Sequence, residues 1–388
     1  MDFSKNETHE EIRQGIGNLC KRFPDEYWSK HDDSHEFPWE FYNAMADGGW
    51  MGLTIPVEYG GGGLGVTEAA IVEREIAASG AGMGGCSAVH IGIFGFEPII
   101  HHGSEEMRKN YLPRVVTGEL HTSFAVTEPD AGTDTTNIKT FAKKVDGGFL
   151  VSGKKVWITK AQEAERMLLL CRTSPRDPNG KRTAGMTLLF AEMDRSTVQI
   201  HPIPKMGRNA VDTNELFIDE LFVADEDVVG EVGQGFRTIL GGLNAERVIS
   251  ANAALGIGEA ALRRGVEYAK QREVFGRPIG RNQGIAFPLA EARIRLDAAE
   301  AMLDKATWMV DQGLPCGREA NAAKFLCAEA GFYAADVALQ THGGFGFGKE
   351  FHVERYFRES RLMRIAPISQ EMVLNYTAEH VLGLPRSY

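Results

Sequence analysis

The stretch SFAVTEPDAGTD (residues 123–134) marks the place where the chain changes its periodicity. Before it, to about Leu120, apolar residues recur at helical spacing. TEAAIVEREIAASG (67–80) is an Ala/Glu-rich run, and GSEEMRKNYLPRVVTGEL (103–120) opens with a Ser104 cap and acidic residues and ends near Gly118. The glycine run 60–63 reads as a loop. After it, from about His121 to about Gly233, short apolar runs alternate with turn signals. FAKKV, the turn at Asp146-Gly147-Gly148 and FLVSG spell a β-hairpin, and MLLLCRT, MTLLFAEM and ELFIDELFV spell further strands. Within the stretch itself, apolar residues lead into Thr127. Pro129 and Gly132 then impose a turn whose backbone N–H groups and hydroxyls can face a ligand, although such a turn is more often only a turn.

From about Phe236 the helical pattern returns. Val248, Leu255, Leu262, Val266 and Ala269 keep one face apolar, as do Leu289, Leu296, Leu303 and Ala306 in the next segment, and stripes of this kind pack a helical bundle. Pro288 is placed in the first turn of that second helix, which puts Gln283 in the loop before it. The expected fold is therefore mainly α with a central β-domain: helices over 1–120, a β-domain over 121–233, and a helical bundle over 234–388.

At 388 residues, the chain has room for two or three domains around a large core. Its 53 acidic against 42 basic side chains leave a formal charge of −11, which disfavours nucleic acid as a partner. The first 30 residues carry charge throughout, and no run of about 18 apolar residues is evident, so a soluble, cytoplasmic protein without membrane contact is expected. Cys20, Cys86, Cys171, Cys316 and Cys327 are odd in number and far apart, which suggests core thiols and neither a disulfide framework nor a metal site.

Three further segments carry chemistry. In KKVWITKA (154–161), Trp157 and Thr159 share one face of a strand. An aromatic plate beside a hydroxyl suits a flat heteroaromatic ligand, but strand tryptophans are usually core. KQREVFGRPIGRNQ (270–283) places Arg272, Phe275 and Gln283 around a helix end; the arginine suits a pyrophosphate, or is simply solvated. QTHGGFGFGKEFHVERYFRESR (340–361) has a glycine run that permits close approach to a phosphate-bearing ligand, without the spacing of a Rossmann turn.

Together, and in this order and at these distances, the four segments resemble the acyl-CoA dehydrogenases, flavoproteins that oxidise acyl-CoA thioesters to enoyl-CoA. The flanking runs PVEYGGGGLG, KMGRNAVDTNELFIDELFV and NAERVISANAALGIGEAA extend the resemblance over nearly the whole chain. It implies an N-terminal α-domain, a middle β-domain and a C-terminal four-helix bundle, assembled as a homotetramer or dimer with one FAD per subunit. By the same resemblance, Phe124, Val126, Thr127 and Thr133 line the flavin and the thioester end of the substrate, with Thr133, Asn244 and Arg247 on the substrate. Trp157 and Thr159 meet the isoalloxazine ring, the Thr159 hydroxyl near N5. Arg272, Phe275, Gln283, Gln340 and Gly344 hold the adenine dinucleotide half, the first three reaching across to a neighbouring subunit, and Ser369 and Glu371 lie beside FAD. Lys160 and Ala161 depart from the Asn and Gly usual in the family.

The reaction removes an α-proton while hydride leaves the β-carbon, so a carboxylate must face the acyl chain from the side opposite the ring. In most family members that group is a Glu in an I-Y-E-G-T segment. The matching segment here is RIAPISQEM (364–372), with Pro367 in the Glu position and Ala366 where Tyr is common. Members resembling the isovaleryl-CoA and long-chain enzymes carry the Glu on the first helix of the C-terminal bundle, directly before an Arg. Glu246-Arg247 stands at that place, so Glu246 is expected to be the base. The plainer alternative pairs Glu246 with Arg247 at a helix N-terminus. Pro367 also lacks the N–H that in the family polarises the thioester carbonyl. Either the N–H of Ile368 takes over, or a ribityl hydroxyl acts with another donor, or the reaction is not ordinary dehydrogenation.

The expected function is thus an FAD-dependent acyl-CoA dehydrogenase that passes electrons to an electron-transferring flavoprotein. The alternative is a lyase on the same fold that eliminates a β-substituent without net oxidation. A DNA-associated flavoprotein is disfavoured by the acidic balance, and an acyl-CoA oxidase because those chains resemble longer, four-domain forms.

Overall fold

The computed structural model describes residues 6–387. Seven helices come first: α1 (Glu7–Cys20), α2 (Asp25–Ser34), α3 (Trp39–Asp47), α4 (Val66–Ile76), α5 (Gly82–Ile93), α6 (Glu97–His102) and α7 (Glu105–Val116). Their ends follow from local chemistry. The Ser104 hydroxyl accepts the Met107 N–H at 3.1 Å to start α7, and Gly118, at φ 74°, takes the left-handed conformation just beyond its end.

Eight strands follow: β1 (Thr122–Ala125), β2 (Phe141–Val145), β3 (Gly148–Thr159), β4 (Arg166–Arg172), β5 (Met186–Glu192), β6 (Val198–Pro202), β7 (Thr213–Ala224) and β8 (Val228–Val229). They form one sheet in the order β6-β7-β3-β2-β4-β5-β8, with β1 parallel to β4. The hairpin expected around Asp146-Gly147 is present, with Val145 opposite Gly148. The pairing of β3 with β7 shifts register between Lys155 and Ile158, and Trp157 in this bulge has φ 63°.

The remainder is α8 (Gly235–Leu240), α9 (Leu243–Gln271), the short pair β9 (Glu273–Val274) and β10 (Arg277–Pro278), α10 (Gln283–Asp311), α11 (Gly317–His342), α12 (Val353–Leu362) and α13 (Gln370–Tyr376). Helices α9, α10 and α11 form the long part of the bundle, with α12 as a shorter fourth member. The apolar stripes read from sequence point into it: Leu255, Leu296 and Leu303 are all buried. Close approach of α9 and α11 depends on Gly258 and Gly331, since a Cβ on Gly258 would lie 2.7 Å from the Gly331 Cα. On the other side of α9, a Cβ on Gly256 would meet the Arg74 carbonyl at 2.4 Å, so α4 is pressed equally tightly against it.

Two sequence expectations change. Gln283 is the first residue of α10, not part of a loop, and Pro288 is its sixth residue, beyond the first turn. There the proline forgoes the bond to the Gly284 carbonyl and crowds it with its ring, yet the helix continues through it. The chain also does contain a long apolar run: residues 76–96 hold no Asp, Glu, Lys or Arg. The helical stretch Val66–His102 is long and apolar enough to cross a membrane by length and composition, but 61% of its apolar window is buried inside the protein. It is broken at Gly80, φ 111°, and α5 serves as a core helix. All five cysteines are buried and free, as expected.

Candidate functional site

The turn after β1 is built on a buried ion pair. Lys155 points from β3 beneath the turn, where its Nζ donates to the Val126 carbonyl at 2.9 Å and to Glu128 Oε1 at 2.9 Å. Glu128 also accepts the backbone N–H groups of Lys139 and Thr140 at 2.6 and 3.0 Å. The Val156 N–H donates to the Thr127 carbonyl at 2.9 Å, which locks the turn to the bulged part of β3. Phe124, Val126 and Thr127 are thereby held beside Trp157 and Thr159. Trp157 is 59% exposed, so it is not a core tryptophan. The bulge turns its ring outward, while Val156 and Ile158 go into the core. Thr133 sits farther along the turn, exposed.

Thr159 has a partner that the sequence reading did not identify. Arg208, at φ 61°, donates to the hydroxyls of Thr159 (3.2 Å), Thr213 (2.7 Å) and Ser87 on α5 (3.0 Å). Its Nε is buried with no protein partner. Burial pushes its pKa down from the ordinary arginine value, against the pull of Glu359 and Asp212.

A second group of expected residues meets at the far end of the bundle. Arg272, Gln340 and Gly344 line one groove of about 520 Å³, with Tyr268, Gly343 and Phe345. No atom outside the local chain lies within 4 Å of where a Cβ on Gly343 or Gly344 would stand, so the groove floor is open backbone. A guanidinium, a carboxamide and bare glycine backbone form a donor set that fits an adenine–pyrophosphate half. Phe275 lies outside this groove and is 100% exposed, and Gln283 is exposed at the start of α10. Neither lines the groove, whereas Arg272, expected to reach a neighbouring subunit together with them, does.

Glu246, the fourth residue of α9, is held across the molecule by α5. His90 Nε2 lies 3.1 and 2.9 Å from its two carboxylate oxygens, and the Ser250 hydroxyl donates to Oε1 at 3.4 Å. The other ring nitrogen of His90 lies 3.2 Å from Glu73 Oε1 on α4. Burial alone would raise the Glu246 pKa, but the facing His90 brings it below the ordinary carboxylate value. His90 is lifted well above its own ordinary value, its two carboxylates outweighing burial. The pairing with Arg247 that was the plainer alternative is not formed: the Arg247 guanidinium donates to Asn244 Oδ1 at 2.7 Å. The counter-charge to Glu246 comes mainly from His90, with Arg247 a lesser contributor.

The segment carrying Pro367 links α12 to α13. The Lys324 ammonium of α11 donates to the Ile368 carbonyl, and the Ser369 hydroxyl caps α13 by accepting the Met372 N–H at 3.3 Å. Glu371 is exposed in the first turn of α13. Lys160, the departure noted on β3, turns inward at φ 60° and donates to the Ala88 carbonyl of α5 at 3.3 Å.

Ser87 and His90 lie one turn apart on α5, so Thr159, reached through Arg208, and Glu246, reached through His90, flank the same helical turn. His90, Glu73 and Arg208 were missed in the sequence. The available signal was a histidine inside the otherwise apolar α5, which is also how a satisfied core residue looks.

Comparison with known proteins identifies the family. Residues 6–119, 123–221 and 233–382 match the N-terminal, middle and C-terminal domains of the acyl-CoA dehydrogenases. The chain is 34% identical over 388 residues to acyl-CoA dehydrogenase FadE12 of Mycobacterium tuberculosis, with 100% of this chain and 99% of the relative covered. Among solved structures, butyryl-CoA dehydrogenase of Megasphaera elsdenii superposes with a TM-score of 0.92 at 27% identity, covering 98% of this chain and 100% of that one. A glutaryl-coenzyme A dehydrogenase in complex with glutaryl-CoA superposes with a TM-score of 0.91 at 28% identity, covering 100% and 98%.

Proposed function

Because the chain belongs to the acyl-CoA dehydrogenase family, we propose that it oxidises an acyl-CoA thioester to the trans-2-enoyl-CoA, with Glu246 as the base and FAD as its cofactor. The observation that carries this reading is the turn of α5 shared by Thr159 and Glu246 through Ser87 and His90. It brings the hydroxyl expected at the flavin and the carboxylate expected at the acyl chain to one turn of one rigid element.

Bound FAD would supply the acceptor for the β-hydride. Trp157 and Thr159 would orient its ring system, and Arg272, Gln340 and Gly344 would hold its adenine dinucleotide half. Phe275 and Gln283, exposed and outside that groove, would reach the FAD of a neighbouring subunit in a homotetramer. Glu246 Oε takes the α-proton, and Asn244 and Arg247, hydrogen-bonded to each other one turn apart on α9, would contact the substrate. Electrons then leave to an electron-transferring flavoprotein in the cytoplasm.

The second reading, a lyase that eliminates a β-substituent without net oxidation, is favoured by one observation: Pro367 has no N–H to polarise the thioester carbonyl. Anaerobic mixing with a panel of acyl-CoA thioesters separates the two. A dehydrogenase loses its flavin absorbance with a saturated acyl-CoA; a lyase releases the β-substituent while its flavin stays oxidised. Full flavin retention in the oxidised state with every saturated thioester in the panel would overturn the dehydrogenase reading.

A further inference from the structure

Glu73, His90 and Glu246 come from three helices, α4, α5 and α9, and form one continuous carboxylate–imidazole–carboxylate row. Glu73 is 1% exposed. The side chains of His90 and Glu246 keep 23% and 27% of their surface, so the row runs from a sealed inner end to a partly exposed one. His90 Nε2 reaches both Glu246 oxygens, an arrangement that fixes the plane of the carboxylate as well as its position. A buried carboxylate in an apolar setting would otherwise take up a proton and cease to act as a base.

We propose that His90, braced by Glu73, is a positioning residue that keeps the Glu246 carboxylate ionised and aimed at the acyl chain. The inference rests on the reading of Glu246 as the base and adds the group that makes it one. It also accounts for how a single carboxylate on α9 works with no acid at Pro367. The charged groups facing this row are Glu73 from α4 and Glu246 and Arg247 from α9, with the Ser250 hydroxyl on Oε1. Elsewhere on α5, Glu359 accepts the Met83 N–H, Arg208 meets Ser87 and Lys160 meets the Ala88 carbonyl, all before His90 in the helix. The raised His90 and lowered Glu246 pKa values agree with an imidazolium held between two carboxylates.

The test is the pH dependence of flavin reduction by acyl-CoA in anaerobic stopped-flow, on FAD-loaded wild type, His90→Gln, Glu73→Gln and Glu246→Gln. In His90→Gln the acid limb should move up by at least about one pH unit, because only the weaker Ser250 and Arg247 contributions then oppose burial of Glu246. Glu73→Gln should move it the same way by less. Selective ¹⁵N-histidine NMR of the wild type should show His90 as imidazolium at pH 8 and as neutral in Glu246→Gln. A folded His90→Gln enzyme with the wild-type profile, beside an inert Glu246→Gln, overturns the proposal while leaving the base in place. If His90→Gln does not fold, an unshifted Glu73→Gln profile together with a neutral His90 at pH 8 overturns it. Wild-type flavin reduction by Glu246→Gln would instead sink the reading of the base itself.

Discussion

Lys155 Nζ stands 2.9 Å from Glu128 Oε1, a pair with 0% and 6% side-chain exposure that joins β3 to the turn carrying Thr127. Removing one member of such a pair leaves the other charge buried and unpaired. Lys155→Met is therefore expected to destabilise the protein by about 3–5 kcal/mol and to loosen FAD. Urea denaturation and FAD content measure the two effects. Unchanged stability would mean that the N–H donors of Lys139 and Thr140 satisfy Glu128 without Lys155.

Glu246→Gln keeps the side-chain shape and removes its basicity. Acyl-CoA should still bind, while flavin reduction should slow by the ~10²–10⁴-fold that a positioned base supplies. Pro367→Glu restores the family's commoner base position, so the double variant should recover part of the lost rate. Stopped-flow absorbance reports both outcomes, and no recovery would mean that residue 367 does not face the α-carbon.

Arg272 lines the groove with Gln340 and Gly344, its guanidinium 5.6 Å from the centre of the Phe345 ring. Arg272→Ala should weaken FAD retention by ~10-fold or more, the loss expected for charge-assisted hydrogen bonds to a pyrophosphate. Fluorescence of released flavin on dilution would show it. Equal retention in the variant would place Arg272 among ordinary solvated side chains.

Lys160 gives a pH signature. Burial holds its pKa down to about 7 against an ordinary 10.5, and its ammonium lies over the Tyr42 ring at 4.3 Å. Between those values the unfolded chain binds a proton that the folded chain has released, so stability rises with pH. Glu163 acts in the opposite sense up to about 8, where burial and the neighbouring Asp212 raise its pKa. Above pH 8 Glu163 no longer opposes Lys160, and Lys205 and Lys324, each held down to about 8 by burial, add to the rise in the same sense. The Lys160 share of the climb between pH 8 and 10 should be up to about 1.4 kcal/mol per unit, and Lys160→Met should lower the slope by that share. Chemical denaturation across that range decides it; an equal slope in both proteins would place the titrating group elsewhere.

Much of the architecture was legible in the sequence, because it is written in local spacing. The stripe through Val248, Leu255 and Leu262, the hairpin at Asp146-Gly147 and the Ser104 cap each involve residues within a turn or two of one another, and each appears in the structure. So do the groove residues Arg272, Gln340 and Gly344, carried by a family resemblance that spans the chain. Pro288 was misplaced because the preference of proline for the first turn of a helix put the start of α10 too late.

The environment of those residues was decided only by the tertiary structure. Glu246 and His90 are separated by 156 positions, and a histidine in an apolar helix looks the same in sequence whether it fills a core or faces a carboxylate. Lys160 follows Thr159 directly, yet a positive φ sends it inward to α5, and Trp157 faces solvent because β3 bulges against β7. The sequence by itself determined which segments become helix or strand and which family they resemble, because backbone preference and apolar periodicity act over a few residues. Which acid is charged, and which cation stands opposite it, depends on burial and on distances across the fold, and these exist only once the helices have packed.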